Sequence, residues 1–277
     1  NPTELSFLLK NCISFYEAPA KSEDYPQTTT EIKKIEMNKE QMEEYKAYQN
    51  QMVPEIKSMN IEDIPKRRRQ AFLSGTRQVS NTIDGRSDIP KIQEIYKVLI
   101  SGKFPAVIYS NYLKNGIYPI MNLLKSSGVS YSIITGEVSL DSIKEAVDKY
   151  NTGQIKVLLL SSAGAESLDL KGTRQIHIME PHFHGSKIKQ VIGRAIRYKS
   201  HAHLPKEERN VIIYKWISVF KGNKSLINRF LRLFGKGEKS ADEYLIDLTD
   251  KKQKMFLVFK QMIIDNSIER SFGNQLH

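Results

Sequence analysis

The sequence predicts an α/β fold: a parallel β-sheet with helices on both faces. Two observations carry this. Between residues 105 and 218, short apolar runs alternate with segments of helical period, the pattern of strands joined by helical crossovers. The joints also carry helix start and stop residues, such as Ser139 ahead of one helical segment and Gly153 just past its end.

The elements follow in order. Residues 1–30 look irregular, with a short apolar helix near 4–12 and the linker-like run KSEDYPQTTT. IKKIEMN, 32–38, alternates enough for a strand. Asn38 and Gln41 are spaced as a capping box, and NKEQMEEYKAYQNQM continues as helix. Residues 54–95 read as helix and loop, including the basic run Lys66, Arg67, Arg68, Arg69. PAVIYS, 105–110, is a short apolar strand, and 112–128 a helix closing at Gly128. YSIIT, 131–135, is a strand and 139–153 a helix. IKVLLLSS, 155–162, and QIHIMEP, 175–181, are strands. SKIKQVIGRAIRY, 186–198, is helical, and NVIIYKWIS, 210–218, is a strand. Two amphipathic helices, near 223–234 and 240–265, end the chain. The domain division this predicts is 1–95 as linker and helical region, 96–220 as the α/β domain and 221–277 as a C-terminal helical extension. Ligands of such sheets bind at the carboxyl ends of the strands, so the loops after 110, 135, 162 and 181 form the candidate functional edge. The aromatics Tyr45, Tyr48, Trp216 and Phe220 fit core positions.

Composition narrows the function classes. The net charge is +11 and the pI about 9.4, which suits a polyanionic partner. The excess is local: residues 171–236 hold 15 basic against 3 acidic residues, whereas 21–64 hold 6 against 10. Cys12 is the single cysteine, so no internal disulfide forms and a reducing intracellular compartment is expected. No apolar run reaches membrane-spanning length, and no membrane partner is expected. The start NPTELSFLLK has no initiator Met and no signal-peptide pattern, and reads as a chain cut from something larger.

The most specific motif is Gln190-Val-Ile-Gly193-Arg194-Ala-Ile-Arg197. Its arginines are three apart and would share a helix face. Gly193 would let another backbone approach. A guanidinium is planar, permanently charged and suited to several phosphoryl oxygens at once. A solvated basic helix is the bland alternative. After the strand at 155–162, Ser162, Ala163 and Gly164 are small enough to leave N–H groups open to a phosphate; a plain turn is the alternative. Ser110 and Asn111, and Thr135 and Gly136, follow two further strands, where short polar groups can bond a backbone phosphate or cap a helix. His182 and His184, like His201 and His203, are two apart, but no cysteine lies near and no metal site is expected.

These residues resemble superfamily 2 helicases and translocases. Gln190–Arg197 is similar to motif VI, SSAGAESLDL at 161–170 to motif V, VIYSN at 107–111 to motif IV, and IITG at 133–136 to the following strand-turn element. A narrower resemblance joins EPHFHGSKIKQVIGRAIRYKSHAHLPKEERNVIIYKW, 180–216, to helicases and nucleoside triphosphatases of large cytoplasmic DNA viruses of the poxvirus and asfarvirus kind. ISFYEAP at 13–19, RQVSN at 77–81 and ADEYLIDL at 241–248 support it.

The resemblance implies a RecA-like second helicase domain with helical additions at both ends. It implies catalytic roles for Arg194, Arg197 and Gln190, and nucleotide contacts at Gly164, Glu166, Asp169 and Gly193. Asp169 matches a position facing the nucleotide sugar; Glu166 stands where related families often carry Arg. It implies nucleic-acid contacts at Ser110, Asn111, Thr135, Gly136, Ser162 and Ala163. ATP and Mg2+ would be held mainly by an absent first RecA-like domain, because no GxxxxGK[ST] occurs in this chain. Nucleic acid, with DNA favoured, that first domain and viral transcription machinery are the implied partners. Host cytoplasm or virion is the implied location. A non-catalytic basic RecA-like nucleic-acid-binding module is the alternative. A hydrolase with its own triad is not supported, since no GxSxG elbow is present.

Overall fold

The computed structural model describes residues 8–10, 12–15, 24–52, 61, 64–164, 168–183, 185–221 and 239–269. The helix expected at 223–234 lies outside them. Two compact units divide the chain: 23–246, and 1–22 together with 247–277.

The larger unit is built on six strands, all parallel: β1 Gln27–Glu36, β2 Ala106–Tyr109, β3 Tyr131–Ile134, β4 Val157–Leu160, β5 Gln175–Ile178 and β6 Asn210–Val219. Their order in the sheet is β1-β6-β5-β2-β4-β3. The α-helices among the described residues are α1 Lys39–Met52, α2 Lys66–Asn81, α3 Pro90–Ser101, α4 Tyr118–Ser126, α5 Leu140–Asn151, α6 Gly185–Ala195 and α7 Ala241–Asp265, of which α7 belongs to this unit only as far as residue 246. Two-residue periodicity divides the strand side chains between two buried layers. Val107, Tyr109, Leu158, Leu160, Ile176 and Ile178 pack with α5 and α6, among them Ala146, Tyr150, Ile188 and Val191. Ala106, Ile108, Val157 and Leu159 pack with α3 and α4, among them Ile92, Ile95, Ile120 and Leu124. Covering on both faces explains why the central strands are apolar throughout rather than alternating.

Three local features depart from the sequence reading. β1 starts at Gln27, five residues before the expected strand, because it follows β6 in register from Gln27↔Asn210 to Glu36↔Val219. It therefore lies in the same sheet although it falls in the 1–95 segment. The helix expected from 112 opens as a wider π-turn over Leu113–Ile117, with Ile117 N–H reaching Tyr112 O at 3.0 Å. Pro119 has no N–H to return to Asn115, and Asn115 leaves helical geometry (φ −99°, ψ 34°). Finally, α6 stops at Ala195, not 198. The Arg194 carbonyl, which a continued helix would give to Tyr198, accepts Leu170 N–H at 3.2 Å instead.

The caps formed as expected. Gln41 N–H donates to Asn38 Oδ1 at 2.8 Å and Asn38 N–H to Gln41 Oε1 at 3.3 Å. Ser139 Oγ accepts Ser142 N–H at the head of α5, and Gly153 takes φ +79° past its end. Tyr45, Trp216 and Phe220 are buried, and the Tyr48 ring fills the space where a Gly75 side chain would stand.

His177 in β5 carries a stability consequence. Its ring is fully buried and stacked 6.0 Å from Trp216. The Trp216 indole can only donate, so the 3.2 Å contact makes His177 Nδ1 the acceptor and Nε2–H the donor to Gln175 Oε1. Burial pushes the imidazole down to about 3. The folded chain thus keeps a neutral ring that the unfolded chain protonates near 6.5. The stability it contributes is present above pH ~6.5 and is lost as pH falls toward ~3, with a slope of about 1.4 kcal/mol per pH unit. His177→Gln should flatten the dependence of the denaturant midpoint on pH across that window, by about one proton.

In the smaller unit, Ile13 bridges Ser267, and the Glu269 carboxylate accepts Phe15 N–H at 2.8 Å and the Ser14 hydroxyl. No helix among the described residues is long and apolar enough to cross a membrane.

Candidate functional site

The parallel register places the carboxyl ends of β2, β3, β4 and β5 on one edge: Tyr109 pairs with Leu160 and Ile178, and Ile134 with Leu160. The candidate residues fall into two groups, one on this edge and one where α6 ends.

At the edge, the loop after β4 folds tightly onto the end of β3. Ser161 N–H donates to Ile134 O at 3.0 Å. A side chain at Gly164 would strike Ile134 O at 2.3 Å, and one at Gly136 would meet Ala163 Cβ at 2.8 Å. Backbone packing therefore requires the glycine at 164, and the Ala163 methyl crowds any side chain at 136. Gly164 N–H is turned to Ser161 Oγ at 3.4 Å, so of the three N–H groups expected to be open, those of Ser162 and Ala163 remain so among the described residues. Thr135 Oγ1 accepts Glu137 N–H at 3.4 Å.

Ser110 and Asn111 do not stand ready for a phosphate. Ser110 is fully buried; its hydroxyl donates to Glu180 Oε2 at 2.9 Å and accepts Tyr112 N–H at 3.1 Å. Asn111 gives both its N–H (2.6 Å) and its Nδ2 (2.9 Å) to Glu180 Oε1. Its Oδ1 accepts the Tyr109 hydroxyl at 3.1 Å, which burial, with the Glu180 charge beside it, pushes up to about 12 and so keeps protonated. The expected phosphate contact from the Ser110 side chain is corrected: a short polar residue after a strand can turn inward as readily as outward, and here a buried carboxylate receives it.

Glu180 is the centre that the sequence left without a role. It is completely buried, and Oε2 also accepts Asn81 Nδ2 at 2.8 Å. Asn81 Oδ1 accepts Lys91 Nζ at 2.9 Å, and Lys91 reaches Asp242 Oδ2 at 3.1 Å. Asp242 Oδ2 accepts Ser218 N–H at 2.8 Å. Arg77, 4% exposed, donates to Pro181 O at 2.8 Å and lies 4.9 Å from the Phe183 ring and 5.6 Å from Tyr112. Burying these charges would be costly without partners; the chain of hydrogen bonds supplies them. The available signal was a carboxylate ending the apolar run of β5 and a lysine among the isoleucines of α3.

The second group surrounds the end of α6. Gln190 is exposed and four residues from Arg194, so the two share a face. A side chain at Gly193 would meet nothing within 4 Å, leaving this face open among the described residues. Arg194 is half-buried, and its Nε is enclosed without a hydrogen-bond partner among the described residues. Arg197 lies beyond the helix, so the expectation of a shared helix face for the two arginines is corrected by the early stop of α6. Arg197 instead folds back, with Nε on Gly193 O at 3.3 Å and Nη1 3.5 Å from Asp169 Oδ1. Asp169 is thereby brought beside the arginines. Glu166 lies outside the described residues, as does His184. His201 is buried and committed to Thr173 O at 2.7 Å and Ser200 Oγ at 2.9 Å.

An enclosed guanidinium N–H without a partner, next to a second arginine and an open helix face, suits a multiply charged anion. Among the described residues, no three His, Cys, Asp or Glu converge as a metal shell.

Residues 90–199 match the model of the helicase conserved C-terminal domain. The chain is 45% identical over 273 residues to a protein of Acanthamoeba polyphaga mimivirus named as an ATP-dependent RNA helicase, covering 95% of this chain and 58% of the relative. It is 30% identical over 177 residues to the termination factor NPH-I homolog of an African swine fever virus isolate, covering 61% of this chain and 24% of that protein. The chain thus spans little more than half of the first relative and about a quarter of the second. Among solved structures, the C-terminal part of the Fun30 ATPase domain superposes with a TM-score of 0.56 at 16% identity, over 80% of this chain and 93% of that one. This likeness establishes the RecA-like fold.

Proposed function

We propose that this chain, whose residues 90–199 match the model of the helicase conserved C-terminal domain, is the second motor domain of a nucleic-acid-dependent ATPase whose phosphate-cradling domain lies elsewhere. The observation that carries the reading is Arg194, with an enclosed, unpartnered Nε beside an open Gly193 face. ATP, with its Mg2+, would be gripped mainly by the other domain. Arg194 and Arg197 would meet the charge that develops on the transferring phosphoryl group. Asp169, paired with Arg197, would orient that arginine and face the sugar. Glu166 and Gln190 would complete the nucleotide-facing side. The N–H groups of Ser162 and Ala163, with Thr135 and Gly136, would hold the backbone of the nucleic acid, which calls for no base-specific contact. DNA is the favoured strand, from the likeness to helicases of large DNA viruses; the mimivirus relative is named for RNA. The same likeness supports a location in host cytoplasm or virion, beside viral transcription machinery.

ATP turnover by the full-length protein, with single-stranded DNA, duplex DNA and RNA compared as stimulators, tests this reading. Stimulated turnover by the full-length protein is expected, largest with DNA, and little or none by the 277-residue chain alone. Nucleic-acid binding without turnover by the full-length protein would instead favour a non-catalytic binding module.

A further inference from the structure

The Glu180 network joins parts of the molecule that the motor reading keeps apart. One carboxylate holds the loop after β2 through Ser110 and Asn111, and Ser110 N–H donates at 3.1 Å to Leu160 O, at the end of β4 that leads into Ser162 and Ala163 on the edge assigned to nucleic acid. Its own chain position leads directly into Pro181, His182 and Phe183, the approach to the arginine-bearing α6. That approach is held from the other side by Arg77, which donates to Pro181 O and lies against Phe183. Asn81, one turn further along α2, returns to Glu180 and passes the connection to Lys91, Asp242 and the end of β6. The Gly116 backbone is pressed so close to Ser110 that a side chain there would stand 2.1 Å from its hydroxyl, so the π-turn moves with the same clamp. Buried, hydrogen-bonded groups resist small independent shifts, because each displaced donor loses its partner in a low-dielectric interior.

We propose that Glu180 and Arg77 are positioning residues that couple the strand edge assigned to nucleic acid, through the loop after β2, to the arginine helix α6, so that a strand bound at the edge sets the placement of Arg194. The inference rests on the motor reading. Neither residue touches ATP or nucleic acid in it, so both should act on communication between sites rather than on the chemical step.

The test uses the full-length protein carrying Glu180→Gln or Arg77→Lys. Turnover is measured without nucleic acid and at saturating single-stranded DNA, duplex DNA or RNA, with the KM for ATP and a melting curve for each variant. Glu180→Gln keeps the shape but turns an amide donor toward two of the four donors that the carboxylate accepts. Arg77→Lys keeps the charge but loses the fork that serves Leu73 O and Pro181 O together. The expected result is a stimulation ratio reduced by about ten-fold or more, with basal turnover and KM for ATP within about two-fold of wild type. An unchanged ratio in a folded variant overturns the coupling. So does an equal loss of basal and stimulated turnover, which marks a structural role. If Glu180→Gln does not fold, Arg77→Lys decides alone. A wild-type protein that no nucleic acid stimulates overturns the motor reading itself, and the coupling with it; this outcome is distinguishable because it appears before any substitution is made.

Discussion

Arg194→Ala in the full-length protein should lower nucleic-acid-stimulated ATP turnover by about three to five orders of magnitude, the range associated with loss of an arginine finger, while nucleic-acid affinity changes little. The expectation comes from the state of the side chain in this domain alone. Its Nε is enclosed and unsatisfied among the described residues, which is unfavourable until an anion supplies the missing acceptor. A group held in that state offers its interaction when charge accumulates on a phosphoryl oxygen. Arg197→Ala should have the smaller effect on turnover, since that guanidinium already has Asp169 at 3.5 Å and Gly193 O at 3.3 Å. Steady-state turnover, with binding of a labelled oligonucleotide as the second measurement, checks both. Arg194→Ala turnover within about ten-fold of wild type, or loss of binding with turnover kept, would remove Arg194 from the role.

Lys91→Met should destabilise the fold by about 3–5 kcal/mol, because it leaves Asp242 buried and charged without its cation. The pair is 1% and 0% exposed, at 3.1 Å, so water cannot take over. Asp242→Asn alone should also destabilise, leaving the ammonium with only Asn81. The double variant Lys91→Met/Asp242→Asn should recover part of the loss, since the amide can still accept Ser218 N–H while no net charge remains buried. Recovery should be incomplete, as Asn81 Oδ1 loses its donor at a cost of about 1–3 kcal/mol. Urea midpoints and slopes of the four proteins measure the coupling. Additive single effects would contradict the pair as described.

The sheet was legible because it rests on local patterns. Apolar runs bounded by Ser139, Gly128 and Gly153 located strands and helices to within a few residues, and the capping box at Asn38 and Gln41 was readable from spacing alone. The misplaced boundaries have tertiary causes: the start of β1 follows its partner β6, and the end of α6 follows the Leu170 N–H that takes its carbonyl. The arginine motif was legible because its residues are contiguous. The Glu180 network was not, because its members come from residues 77–81, 91, 110–111, 180 and 242. Periodicity has no means of bringing such segments together. Two of them, RQVSN and ADEYLIDL, were visible as family-like pieces, yet a resemblance gives no geometry.

The pairing of β1 with β6 has a consequence for how the protein is made. Gln27 meets Asn210 and Glu36 meets Val219, so β1 leaves the ribosome well before β6 and has no sheet partner until most of the domain between them has been translated. At ~5–20 residues per second that interval lasts on the order of ten to forty seconds. Throughout it, ten residues of extended backbone have hydrogen-bonding groups available to any neighbouring nascent chain. Glu31, Lys33, Lys34 and Glu36 space charges along the strand, the kind of sequence that discourages such mispairing. The charges of β1 thus suit the strand both to that interval of synthesis and to its place at the end of the sheet order.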